Sequence, residues 1–258
     1  MAANTGERTL ISSVIPPGSA HIDGVFSVTP ISDDPVRLVD ISAQLAALTS
    51  DLVVRAAPKA NIRAATVERI PAITRQHPLM PELRLRYLRL ICVSNAFADL
   101  WESVFDGGFT TDAWTAGPNA MTVALGDVTP KWEAHTPLRR AIDRRQATVE
   151  LDAVTAVALG ISADELATIY RTQFPVLNGY DRNAYLFDAD GRLVPKAILT
   201  AWRQRGDLSA EERTTAHPGS GIMYEYLQPF YSRDREADLR QAHAVFAERW
   251  DSRRSNST

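Results

Sequence analysis

The chain has 258 residues, enough for one large domain or two small ones around a sizeable core. Its apolar share of 45% and charged share of 23% are ordinary for a globular protein. The net charge of -3 supplies no global basic field of the kind that marks a nucleic-acid binder, although a basic face can be offset by acids elsewhere. A single cysteine, Cys92, excludes a disulfide framework or a cysteine-based zinc site within one chain.

Thr9 to Ile15 reads as a strand almost at once, followed by a Pro16-Pro17-Gly18 turn and a second β segment over 20–29 with partial alternation. A chain that opens inside structure reads as a fragment of something longer. The first residues lack the basic and apolar regions of a signal peptide, and no run approaches the ~18 apolar residues of a membrane span. The expected compartment is therefore cytoplasmic, with no membrane partner. Leu38, Ile41, Leu45, Leu48 and Leu52 share one face of a helix expected over Val36–Arg55 and ended by Pro58. Thr66–Ile70 reads as extended. Pro81–Phe105 is the next expected helix, stopped by Gly107-Gly108.

Residues 107–135 read as loop, with Trp114 and Trp132 as anchors. A long amphipathic helix follows over Pro137–Leu159 with Gly160 as its C′ residue, and Ser162-Ala163-Asp164-Glu165 is a capping box for a helix that ends at Pro175. Tyr185–Phe187 and Arg192–Val194 flank an Asp188–Gly191 hairpin turn. A short helix is expected over Lys196–Arg205 and a closing one over Asp234–Trp250. The fold class is mainly α with a few short β-strands (α+β). It divides into 1–135, a segment with short strands and two helices; 136–250, helical with a hairpin; and a disordered tail over 251–258.

The chemistry is mostly negative. His21, His77, His135, His217 and His243 are scattered with no two at ligand spacing, so no metal site is expected. Asp188-Ala189-Asp190-Gly191 lacks the first and last acids of a calcium loop and reads as a β-turn. Gly219-Ser220-Gly221 lacks the spacing of a nucleophile elbow, and no glycine-rich phosphate loop is present. Asp143, Glu150 and Asp152 read as a solvated helix face pairing with neighbouring arginines.

Three arginine groups remain. Arg139, Arg140, Arg144 and Arg145 crowd the start of the long helix, with Arg140 and Arg144 on one face. Arg55, Lys59 and Arg63 surround a helix end, and Arg84, Arg86 and Arg89 form the third group. Arginine forks suit phosphate oxygens and guanine edges. They equally suit Asp and Glu neighbours within the fold, and both readings stand at this point.

Several segments carry a family resemblance: Thr5–Ile11 with Ile15–Gly18, Arg84–Trp101, Arg144–Asp152, Leu159–Leu166, Ile169–Leu177, Tyr185 with Asp188–Val194, and Asp234–Asp238. Together they resemble the C-terminal region of Eco57I-like type II restriction–modification enzymes, which are adenine-specific DNA methyltransferases with relatives in phage defence. The resemblance implies the helical C-terminal region of a larger enzyme that recognises and clamps double-stranded DNA while a separate domain flips and methylates an adenine. That domain would hold S-adenosylmethionine and an Asn-Pro-Pro-Tyr type motif. This chain has neither the motif nor a cofactor loop, since Ile15 precedes Pro16-Pro17 and Gly18 follows. No cofactor is therefore expected in this chain, no catalytic residue is assigned, and the expected partners are double-stranded DNA and a catalytic methyltransferase domain in cis or in trans. Arg139, Arg140, Arg144, Arg145, Arg55, Lys59 and Arg63 are the candidate DNA contacts. The alternative is a non-catalytic helical protein-interaction module of a defence complex.

Overall fold

The structure is a computed structural model that describes residues 5–21, 25, 27–56, 62–117, 120–217 and 219–255. About half the chain is helical, and the described residues include one two-stranded antiparallel sheet, so the protein is mainly α with a few short strands. The helices are α1 (Pro35–Leu45), α2 (Leu48–Ala56), α3 (Ala64–Val67), α4 (Met80–Ile91), α5 (Ala98–Val104), α6 (Ala141–Ala158), α7 (Ala163–Gln173), α8 (Pro175–Asn183), α9 (Lys196–Arg205) and α10 (Arg235–Ser255). Strands β1 (Thr214–Ala216) and β2 (Met223–Glu225) pair with Thr215 opposite Tyr224. No helix among the described residues is long and apolar enough to cross a membrane.

The long helix α6 is the centre of the molecule. It packs against α10, α4, α7 and α2, and fourteen of its eighteen residues are buried. This corrects the expectation of an amphipathic helix with a solvated acidic face: Asp143, Glu150 and Asp152 are all inaccessible to solvent. A helix buried all round is normally apolar all round. Here the polar positions are matched instead. Glu150 accepts from Arg86 Nε at 2.6 Å, from Thr115 N and Oγ1 at 2.7 Å each, and from Gln146 Nε2 at 2.9 Å. Asp152 accepts from Leu48 N at 2.7 Å and pairs with Arg8 at 3.3 Å. Asp143 accepts from Thr122 N at 2.8 Å and from the Thr122 hydroxyl.

The same matching explains where the helices break. The helix expected over Val36–Arg55 is two helices, because Asp152 takes the first N–H of α2 and so caps a new start at Leu48. The helix expected over Pro81–Phe105 is also two. The carbonyls at the end of α4 are taken by distant side chains: Leu90 O by Arg144 at 3.0 Å, Cys92 O by Trp132 Nε1 at 2.8 Å and Val93 O by Arg139 at 3.0 Å. With these partners the chain can leave the helix without orphaned acceptors. Pro175 begins α8 rather than closing the fold's helical run, because proline fits the first helical position, where an N–H is unsatisfied anyway. Thr66 lies in the single turn α3, not in an extended segment. The closing helix runs on to Ser255, where Arg253 pairs with Glu82, instead of ending at Trp250.

Other local signals hold. Gly160 has φ of +72° after α6, and the Ser162–Glu165 capping box opens α7. Trp114 and Trp132 anchor the long loop through Nε1 to Val123 O and Cys92 O, both at 2.8 Å. Arg89 organises the rest of that loop, donating to the carbonyls of Ala124, Leu125, His135 and Thr136 at 2.7–3.3 Å. The hairpin at Asp188–Gly191 forms, with Phe187 bridged to Leu193, and the Asp188 carboxylate accepts from Asp190 N and Arg192 N.

The two N-terminal β segments are not strands among the described residues. The Pro16–Ser19 turn closes with Ser19 N on Pro16 O at 3.3 Å, and Gly18 has φ of +80° after Pro17, the type II pattern. Type II turns splay the flanking chain instead of matching strand twist, so the described residues of the two arms do not pair. Leu10 and Val14 reach the core, while Thr9 N and Leu10 N are held by the Asp51 carboxylate at 3.0–3.1 Å.

The main core draws on helices from both sides of residue 135, from Val39 in α1 to Phe246 in α10. A second, smaller core around Leu186, Ile198, Leu208, Tyr226 and Phe230 holds α9 and the β-hairpin.

Candidate nucleic-acid interface

The arginine-rich start of α6 sits beside an open cleft of about 550 Å³. Arg140 is the N-cap residue, with extended backbone (φ −78°, ψ 141°) and no capping bond from its side chain. Its guanidinium has no partner among the described residues, and it is half-buried at the cleft wall. Arg139 is exposed beside it and donates to Val93 O and Ala134 O at 3.0–3.3 Å. Across the cleft, Gly191 of the hairpin accepts from Ile142 N at 3.0 Å, locking the hairpin to the helix start. His135 and Tyr231 complete the polar lining, with His135 3.6 Å from Glu133. Asp190 and Asp143 also face the cleft, but Asp190 is paired with Arg192 at 2.9 Å and Asp143 with Thr122.

The other candidate contacts are distributed differently. Arg144 turns inward, caps α4 through Leu90 O at 3.0 Å and donates to Leu138 O ahead of α6 at 3.2 Å. Burial holds its pKa below the ordinary arginine value, and the Arg139 charge adds to this. Arg145 is buried, with Asp238 at 2.6 Å and Asp181 at 3.9 Å. Arg55 is buried too. It donates to Gln173 O, Gly6 O and Glu7 O at 2.9–3.1 Å, lies 3.5 Å from Asp51 and stacks 4.3 Å over Phe174. Arg63 is exposed at the start of α3, outside the cleft. Lys59 lies outside the described residues. Arg139 and Arg140 are thus the members of the set that share an open surface.

The third group is internal. Arg86 is fully buried between Glu150 and Asp112, both at 2.6 Å, and Arg84 pairs with Asp40 at 2.5 Å. Arg89 has no carboxylate within ion-pairing distance among the described residues, and burial lowers it to about 10. Three of the 28 basic residues in the chain are lysines. Arginine dominates because a planar fork of five donors can satisfy several buried acceptors at once, which an ammonium cannot.

What this arrangement offers is a place for an anion beside two guanidinium groups. His217 Nδ1 lies 3.3 Å from Ser220 Oγ, but it also accepts from Gly219 N and Ser220 N at 3.2 Å, as a turn cap does. Cys92 is buried, and burial pushes its thiol up to about 12. No group of three His, Cys, Asp or Glu able to hold a metal occurs among the described residues. Compared with known proteins, the chain matches no family model, no curated protein and no solved structure.

Proposed function

We propose that the chain is a DNA-recognition and scaffold region of an adenine-specific DNA methyltransferase of a restriction–modification or phage-defence system. In this reading the S-adenosylmethionine-binding catalytic half is a separate domain, in cis or in trans, and works in the cytoplasm. The observation that carries the proposal is the set of resembling segments, above all Arg144–Asp152 and Ile169–Leu177. The position of Arg139 and Arg140 at one open cleft supports it, since arginines that are not spent on internal carboxylates are available to phosphates.

The test is a mobility-shift titration on duplex DNA over a salt series, for the chain alone and together with the methyltransferase half. Binding should weaken steeply with salt. Arg139→Ala/Arg140→Ala should flatten the slope of log K against log salt by roughly 2, at about 0.9 per phosphate contact. Absence of binding at low salt in both arrangements would sink the DNA reading.

A second reading, a helical protein-interaction module, has its own observation. Ile11, Ile15, Val25, Val28 and Ile31 are exposed large apolar side chains within one N-terminal stretch, with Ile11 84% accessible. Scattered apolar residues are normal on a surface and a contiguous patch marks a contact surface, so this reading requires these side chains to meet on one face. A complex with the methyltransferase half that forms without DNA and is lost in Ile11→Asp/Ile15→Asp favours this reading.

A further inference from the structure

A second cleft, of about 500 Å³, lies where the end of α8 meets the start of α10. Four guanidinium groups line it, Arg182, Arg233, Arg235 and Arg240, against three carboxylates, Asp181, Asp234 and Glu236. Each carboxylate is already engaged. Asp181 accepts from Arg235 Nε at 2.6 Å and from the Tyr170 hydroxyl at 3.0 Å. Glu236 pairs with Arg171 at 3.2 Å and with Arg240 at 3.3 Å. Asp234 accepts from Ala237 N at 3.1 Å, capping α10. Behind the cleft Asp238 is shared by Arg145 at 2.6 Å and Arg233 at 2.8 Å, so that Arg145 and Asp238 together add no net charge to the groups lining the cleft.

Two groups are left over. Arg235 is only 6% exposed, yet its Nη1 has no hydrogen-bond partner among the described residues. Arg182 is exposed at the end of α8 and has no partner among them either. A buried donor without an acceptor is costly, and with every ion-paired partner counted the six arginines Arg145, Arg171, Arg182, Arg233, Arg235 and Arg240 face five carboxylates, Asp164 beside Arg240 at 2.5 Å among them, so the cluster is short of one negative charge. Groups of this kind in native proteins call for a missing partner, and a tetrahedral oxyanion offers the acceptors that an arginine fork fits.

We propose that this cleft binds a phosphate or sulfate group, with Arg182 as its contact at the mouth and the buried Arg235 supplying positive charge beneath it. The site is separate from the Arg139–Arg140 cleft and does not rest on the DNA reading. The source of the anion is either a free phosphoryl compound or a phosphate of the DNA backbone.

Calorimetric titration of the full chain with inorganic phosphate, in a chloride buffer, tests it. Saturable one-site binding is expected. Arg182→Ala should raise the Kd about fivefold or more, the loss of one charge-assisted contact, and Arg182→Lys should recover part of it. Arg69→Ala, an exposed arginine outside both clefts, should leave the Kd unchanged. No saturable binding by the native chain, or an Arg182→Ala variant that binds like Arg69→Ala, overturns the proposal. A mobility shift with Arg182→Ala separates the sources. Weaker duplex binding assigns the site to backbone phosphates, and unchanged duplex binding with lost phosphate affinity assigns it to a free phosphoryl compound. Loss of duplex binding in Arg139→Ala/Arg140→Ala with phosphate affinity intact bears on the other cleft alone.

Discussion

Replacing Arg86 with methionine should destabilise the protein by about 3–5 kcal/mol, the cost of leaving a buried charge without its counter-charge. The magnitude follows from what the guanidinium holds. It is fully buried and donates to Glu150 and Asp112 at 2.6 Å each, to Glu82 O at 3.0 Å and to Ala113 O at 3.2 Å, while lying 4.9 Å over the Phe246 ring. Asp112 keeps a second arginine, Arg249 at 2.8 Å, but Glu150 is left with only Thr115 and Gln146 and no other cation among its hydrogen bonds. Methionine fills much of the volume, so the loss measures charge and hydrogen bonding more than a cavity. Urea unfolding followed by tryptophan fluorescence reads it, and in a chain of this size the Tm should fall by roughly 6–20 °C. Adding Glu150→Gln removes the stranded charge and keeps an acceptor for Thr115. The double variant should therefore be more stable than the sum of the single losses, by about 1–3 kcal/mol of coupling. A single-variant loss below about 1 kcal/mol, or strictly additive losses, would refute the idea that Arg86–Glu150 is the electrostatic centre of the fold.

Two further outcomes follow from the geometry. Gly191→Ala should cost at least about 2 kcal/mol, read by thermal unfolding, because the site has φ of +73° and an added Cβ would overlap the Ile142 Cγ2 methyl and come within 2.9 Å of Thr122 Cγ2; native-like stability would show that the hairpin can shift off α6. Asp112 gives a pH signature. Burial alone would raise its pKa, but the Arg86 and then the Arg249 guanidinium more than offset this and hold it below the ordinary 3.8. A depressed folded-state pKa contributes stability that is present above the unfolded value and lost as pH falls through the folded one, so acid unfolding should steepen below about pH 4. Asp112→Asn should flatten that limb of the stability–pH curve, and an unchanged slope would place the acid sensitivity on other carboxylates.

Local signals were legible in the sequence wherever the cause is local. The Gly160 stop, the Ser162–Glu165 box, the span of α9 and the Asp188–Gly191 turn depend on residues a few positions apart, and each forms where the spacing places it. The breaks at Ala46–Ala47 and Cys92–Ser94 were not legible, because they are made by Asp152, Trp132, Arg139 and Arg144 from distant parts of the chain. Periodicity sees a continuous apolar face on either side of such a break and cannot see which side chain takes the freed carbonyl.

The arginine clusters show the same limit at the level of the site. In sequence, Arg139, Arg140, Arg144 and Arg145 are one group; in space they are two pairs. One pair is turned into the fold, where Arg144 ends α4 and Arg145 ties α6 to α10 through Asp238. The other stands at an open cleft, and a single residue in it, Arg140, has no internal partner among the described residues. Spacing could place Arg140 and Arg144 on one helical face but could not reveal that α4 and its trailing loop already occupy part of that face. A basic cluster is therefore informative about a ligand only after its internal acceptors are subtracted. In this fold the subtraction leaves few arginines, and Arg140 and Arg182, each beside a cleft, are the ones where an outside anion has something to gain.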